Sequence, residues 1–182
     1  NKRNGHFRDW VWMTKELVER NSTVDENGRR IIRFQIETDQ PDIKPVESFA
    51  YLLPKSGTSV ISDIDDTIKV SNVGDRKELL ANTFLREFQG IDGMAELYEQ
   101  WYQQGSDFHY VSSSPWYLYT ELTSFLERAG FPDFSLSLKS FRFRDESLLE
   151  LFKDGEATKP GQIRQILEKF PQRQVVLIGD SG

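Results

Sequence analysis

Residues 58–69 read TSVISDIDDTIK. The apolar pair Val60-Ile61 runs into three carboxylates, Asp63, Asp65 and Asp66, within four positions. Like charges this close raise the cost of ionising one another. An apolar strand that ends in such a cluster must deliver it to a place where the charge meets a partner. The carboxyl edge of a parallel sheet is such a place, because strand tips gather there and ligands bind beyond them.

The downstream pattern predicts that sheet. Residues 93–104 read as a helix with Met94, Leu97, Tyr98 and Trp101 at helical spacing, Asp92 as N-cap and Gly105 as stop. Phe108 to Val111 reads as a strand ending in Ser112-Ser113-Ser114-Pro115. Residues 117–129 predict a helix with Leu118, Leu122, Phe125 and Leu126 on one face, closed by Gly130. A short strand over 136–138 and a helix over 147–152 follow. Pro160 suits the first position of a helix through Phe170, with Ile163, Ile166 and Leu167 as its apolar face and Pro171 beyond it. Val175 to Ile178 reads as the last strand, leading into Gly179-Asp180. Strands alternating with helices imply parallel strands and right-handed crossovers. The expected fold class is therefore α/β, a doubly wound, Rossmann-like parallel sheet over 56–182. Asp63, Ser112 and Asp180 then stand at three carboxyl ends, and Lys159 lies just before the helix that feeds the last strand.

Residues 1–55 follow another rule. Asp25-Glu26-Asn27-Gly28 is a turn signal, and Ile32, Phe34 and Ile36 alternate with Arg33 and Gln35, the period of a half-buried strand. Val46 to Leu53 reads as a further extended segment. This is a small β-rich N-terminal unit, expected as an accessory domain incomplete at its start.

Charge and composition narrow the function. The formal net charge of -6 gives no general attraction to nucleic acid or an anionic bilayer. With no cysteine there is no disulfide framework and no thiolate chemistry, which fits a reducing, cytoplasmic setting. No apolar run reaches the length of a membrane span. The chain starts at Asn1 and stops at Gly182 and reads as cut from a longer one.

Carboxylates that repel are tolerated around a cation. Oxygen ligands suit magnesium, which keeps several waters and shares its shell with substrate phosphates. Asp63 and Asp180 could each give it one side-chain oxygen. A carboxylate can also attack phosphorus, giving an aspartyl-phosphate. Asp65, two residues on, could protonate a leaving alkoxide and then activate water. Thr67 and Ser112 offer hydroxyls, Lys159 a point charge for a phosphate or for the attacking carboxylate, and the N–H groups after Ser112 a phosphate cradle at a helix start.

The string Asp63-Ile64-Asp65-Asp66-Thr67 resembles the D-x-D-x-T first motif of the haloacid-dehalogenase-like superfamily. A strand ending in Ser112, a lysine before a helix at Lys159 and a strand ending in Gly179-Asp180 follow in that superfamily's order. The strings SDIDDTIK, YVSSSPW and LIGDSG are more specifically similar to phosphatidate phosphatases of the actin-patch-associated, lipin-related type, over residues 58–182. The resemblance implies a magnesium-dependent phosphomonoesterase without a large cap. Asp63 would be nucleophile and metal ligand. Asp65 would be acid/base and would give its main-chain carbonyl to the metal. Thr67, Ser112 and Lys159 would hold the phosphoryl group, and Asp180 would complete the metal site. The superfamily places a further acidic residue after Asp180, beyond the end of this chain. An acid at position 65 favours esters with alkoxide leaving groups over ATP. Phosphatidate is the implied substrate. A phosphatase for a soluble metabolite or phosphoprotein, and a non-catalytic phospholipid-binding module, are the alternatives.

Plainer readings stand beside these. Taken singly, an Asp-Asp pair is a solvated turn, three serines a polar loop, and Lys-Pro a helix start; Lys153 competes with Lys159. Asp66 is expected to be structural, and His109 to be packing rather than a ligand. Residues 68–91 can form only a small flap, with Leu79, Leu80, Phe84, Leu85 and Phe88 as its apolar side, which leaves the site open to large or aggregated substrates. Lys139 to Arg144, with Trp116 and Tyr117, is the best candidate for peripheral membrane contact. Placing Phe141 and Phe143 in the core is the preferred reading there.

Overall fold

The pair Val60-Ile61 explains why the strand carrying it sits inside a sheet: Val60 packs into one apolar cluster and Ile61 into another, so both faces of the strand are covered. Alternate side chains of a strand point to opposite faces, and a strand apolar on both is buried on both. The computed structural model describes residues 11–37, 42–71, 87–139 and 155–180. The chain divides into two units, Asn1–Pro54 and Lys55–Gly182.

The second unit holds a four-stranded parallel sheet. Its strands are β4 (Thr58–Asp63), β5 (Ser106–Pro115), β6 (Phe134–Lys139) and β7 (Gln174–Ile178), in the order β6-β5-β4-β7. Helix α2 (Met94–Gln103) and helix α3 (Tyr119–Arg128) cover one face. Their Tyr98, Tyr102, Leu122, Phe125 and Leu126 pack on Val60, Phe108 and Tyr110. Helix α4 (Gly155–Lys169) covers the other, with Ile163 and Ile166 on Ile61, Val111 and Val175. The arrangement is mixed α/β and compatible with a Rossmann-like fold. Chain order runs β4, β5, β6 in one direction, then returns to place β7 on the far side of β4. The order therefore reverses between β4 and β7, the position where open α/β sheets leave a crevice for ligands.

Several local expectations need correction. Helix α2 begins after Gly93, whose φ of 80° makes it the cap, so Asp92 is not the N-cap. Leu97 is exposed, and Tyr102 rather than Leu97 completes the buried face. Helix α4 starts at Gly155, which puts Pro160 inside it. The proline lacks an N–H, so the helix loses one ladder bond there. Leu167 is exposed; Phe170, just past the helix end, packs inward in its place. Strand β5 runs through Ser112 to Pro115 instead of ending before it.

The first unit is an antiparallel sheet in the order β1 (Ser22–Val24), β2 (Arg30–Ile36), β3 (Val46–Tyr51). Asp25 closes the β1–β2 turn, its Oδ1 accepting from the N–H groups of Asn27 and Arg29, and Gly28 takes φ 77°. Burial is consecutive at Ile31 and Ile32, whereas Phe34 and Ile36 are exposed, so the half-buried alternation does not hold. Helix α1 (Lys15–Asn21) precedes the sheet, capped by Thr14 Oγ1. It buries no residue of its own, so it carries no apolar period by which a sequence reading could find it.

At the amino ends of the parallel strands, His109 bonds Ser135 Oγ through Nδ1 at 2.6 Å and Ser59 Oγ through Nε2 at 3.3 Å. Burial lowers its pKa to about 4, helped by the charges of Arg173 and Lys169. The unfolded chain then binds the extra proton between about pH 6.5 and pH 4, so this group's contribution is complete at neutral pH and is lost as pH falls through that window. The expected size is about 3 kcal/mol. Urea unfolding of the wild type and of His109→Gln at pH 7 and pH 4.5 should show the wild type losing more stability on acidification. Parallel losses would contradict this.

Candidate active site

Strand β4 delivers Asp63 to the β4/β7 tip. Ser62 lies level with Tyr110 on one side and Ile178 on the other. Gly179 follows directly, and a Cβ placed on it would lie 3.9 Å from the Cβ of Asp63. The two tips therefore adjoin. Asp63 is only 5% exposed. Its Oδ2 stands 2.8 Å from Lys159 Nζ, an ion pair that helix α4 reaches in to make. The contact is close but not directed as a hydrogen bond, and neither carboxylate oxygen has a hydrogen-bond partner. Burial raises the pKa of Asp63, against the lowering effect of Lys159.

After Asp63 the chain makes a tight turn. Asp66 takes a left-handed φ of 54°, a conformation that Asp tolerates better than most residues. Its Oδ1 accepts from Ser71 N at 2.7 Å and its own N–H donates to Lys69 O. The structural role expected for it is what the geometry gives. Residues 68–70 then pair with 89–91, closing the base of the anticipated flap. Its interior, with Leu79, Leu80, Phe84 and Leu85, lies outside the described residues, as do Lys153 and the 140–144 stretch of the basic–aromatic patch.

Both carboxylate oxygens of Asp65 are engaged. Oδ1 lies 3.0 Å from Lys69 Nζ and accepts from Ser71 Oγ at 2.6 Å. Oδ2 accepts from Ser112 Oγ at 3.1 Å and more loosely from Ser114 Oγ at 3.5 Å. Burial raises its pKa, but Lys69 and the hydroxyls of Ser71 and Ser112 outweigh burial and hold the carboxyl below the usual range. Ser112 and Ser114 reach Asp65 because β5 is irregular there: its pairing with β6 shifts register between Val111 and Pro115. Such bulges re-aim side chains at the ends of sheets. Ser112 Oγ also accepts from Ser114 N, and Gln162 of α4 donates to Ser112 O.

The sequence-derived candidates fall into three groups. Asp63 and Lys159 are in direct contact, and Asp65 and Ser112 are hydrogen-bonded. Thr67 lies in the turn, its buried Oγ1 without a hydrogen-bond partner. Asp180 stands one residue past Gly179, exposed at the β7 tip. Among the described residues no three Asp, Glu or His side chains gather closely enough to hold a metal. A site drawing on Asp63, Asp180 and a main-chain carbonyl does not need such a trio. The donor set fits a hard cation, since Asp63 is buried, ionises reluctantly and leaves both oxygens without hydrogen bonds. Lys69, Ser71 and Gln162 were not anticipated.

A family model described as the catalytic domain of phosphatidate phosphatase APP1 matches residues 58–182. A Saccharomyces cerevisiae protein named phosphatidate phosphatase APP1 is 36% identical over 130 residues, which is 69% of this chain and 22% of that protein. An uncharacterised Schizosaccharomyces pombe protein is 28% identical over 155 residues, 83% of this chain and 25% of its own length. The chain thus spans about a quarter of the length of these curated relatives.

Proposed function

This chain belongs to the family of the phosphatidate phosphatase APP1 catalytic domain, and from that premise we propose that it is a magnesium-dependent phosphomonoester hydrolase that converts phosphatidate to diacylglycerol and phosphate. The fold we assign is the haloacid-dehalogenase-like one without a large cap. The observation that carries the reading is the Lys159–Asp63 pair at the β4/β7 tip, with Asp65 and Ser112 hydrogen-bonded beside it. Asp63 is the nucleophile: one of its oxygens attacks phosphorus, the ester P–O bond breaks, and the alkoxide takes a proton from Asp65. Asp65 then removes a proton from water, whose oxygen attacks the phospho-Asp63. The P–O bond to Asp63 breaks, releasing phosphate and restoring the carboxylate. Lys159 favours the anionic form of Asp63 and draws the phosphoryl oxygens to it, while Ser112 and Thr67 orient them. Magnesium, held by Asp63, Asp180 and the Asp65 carbonyl, would supply neutralising charge when bound.

Among the described residues no helix is long and apolar enough to cross a membrane. We place the protein in the cytoplasm and peripheral to the bilayer, meeting its lipid at the surface. The retained acid/base separates this reading from a lipid-binding module, which needs no proton donor. Phosphate release from phosphatidate in detergent mixed micelles is expected with magnesium, lost on chelation, and dependent on the surface fraction of lipid. Equal turnover of soluble esters with no surface dependence would transfer the reading to a soluble substrate. Lipid retention without release from any ester would leave a binding module.

A further inference from the structure

Lys69 is 1% exposed. A buried ammonium is costly unless it is paired, and for stability alone an apolar side chain of the same volume usually serves as well. Here the charge is retained and enclosed. Nζ lies 3.0 Å from Asp65 Oδ1, donates to Ser71 Oγ, and sits 4.7 Å over the centre of the Phe88 ring. The backbone fixes the donor as firmly as the side chain does. Lys69 bridges both Asp65 and Gly90, and Ser71 is pinned by its own N–H to Asp66 Oδ1.

These contacts fall on one oxygen. Lys69 and Ser71 both hold Oδ1, while Oδ2 is left to the hydroxyls of Ser112 and Ser114 on the β5 bulge. We propose that Lys69, with Ser71, decides which oxygen of Asp65 faces the substrate, and is thereby a positioning residue for the acid/base. The assignment rests on the phosphatase reading above. With Oδ1 occupied, the proton that reaches the leaving alkoxide is carried on Oδ2, beside the serine assigned to the phosphoryl group. Rotation of the carboxylate would break the Lys69 pair, so the ion pair keeps Oδ2 in place through both half-reactions.

The test uses leaving groups. An alkyl ester needs the proton to break its P–O bond, whereas p-nitrophenolate leaves without one. First-turnover rates of wild type and Lys69→Met are compared on an alkyl phosphate and on p-nitrophenyl phosphate at fixed magnesium. The alkyl ester is expected to slow about a hundredfold, the scale set by a misplaced catalytic group, with KM little changed. The aryl ester should slow at least about tenfold less. In an Asp65→Asn background the same substitution should add little, because the group it positions is gone. Ser71→Ala, which removes one donor only, should show the same selectivity at smaller size and serves if Lys69→Met fails to fold. Equal slowing on both esters, or none on either, overturns the assignment while leaving the phosphatase reading in place. A wild type that hydrolyses neither ester overturns both.

Discussion

Asp63→Asn is expected to abolish phosphate release, by about ten-thousandfold or more, the scale on which loss of a covalent nucleophile acts, while the protein stays folded. The two halves of this expectation have one cause. Asp63 is buried at the tip of a central strand, where burial raises its pKa. A carboxyl whose folded pKa lies above its unfolded value lowers stability once pH rises past that unfolded value, and the cost is complete above the folded pKa. Asn removes the charge and keeps the shape. Without magnesium, the melting temperature of Asp63→Asn at pH 7 should equal or exceed that of the wild type. Lys159, the partner it strands, is partly exposed and can be hydrated. A residue whose replacement raises stability and removes turnover is one kept for chemistry. Acid-quenched wild type turning over phosphate-labelled substrate should retain label on the protein, and Asp63→Asn should retain none. Normal turnover in the variant, or label retained by it, contradicts the covalent scheme.

Asp65 tests the same scheme from the other side. Its four contacts favour the anion, so under the proposed scheme the proton given to the alkoxide must first be taken up against that bias, and the anion is the form that then takes a proton from water. Asp63 and Asp65 are two residues apart on one turn, yet burial outweighs Lys159 and pushes one pKa up, while a lysine with hydroxyls outweighs burial and pulls the other down.

What could be read from the sequence was what repeats or stands out locally. Val60-Ile61 before an acidic turn, the faces of Leu122, Phe125 and Leu126, and the last apolar strand are periodic signals, and the four parallel strands lie where those signals placed them. The order of the strands is not periodic. That β7 returns beside β4, and so brings Gly179 against Asp63, is settled by packing on both faces of the sheet. Irregularity was equally hidden. Ser112 looks like the residue after a strand because three serines and a proline look like a loop; it lies instead on a bulge within β5, where the register shift turns it toward Asp65. A single lysine beside a turn is ordinarily solvated, so the sequence does not single out Lys69; its near-complete burial does.

Arg173→Met is expected to lower stability by about 3–5 kcal/mol, the cost of leaving a buried charge without its partner. Arg173 is buried in the turn before β7, and its guanidinium meets Asp107 in a close ion pair. The same group donates to Ser59 Oγ at 2.7 Å, Thr58 O at 2.6 Å and Ser56 O at 3.2 Å. One side chain thus ties the starts of β4, β5 and β7 together. Gly57 has φ 132° and passes so close that a Cβ would stand 3.1 Å from the guanidinium nitrogens. These ties hold Thr58 level with Gln174 and with Ser106. Because the strands are parallel and continuous, register set at this end determines which residues meet at the other. A slip of one position between β4 and β7 would carry Asp63 away from Gly179 and invert the faces of one strand. Arg173→Met should therefore lower the melting temperature by roughly 10–20 °C, and Arg173→Met with Asp107→Leu should recover much of the loss, because the pair is then removed whole. Molecules of the single variant that remain folded should hydrolyse phosphatidate at the wild-type rate, since the register is either kept or lost with the fold. A loss below about 1 kcal/mol, typical of an exposed pair, would show that this end of the sheet does not set the register on which the site depends.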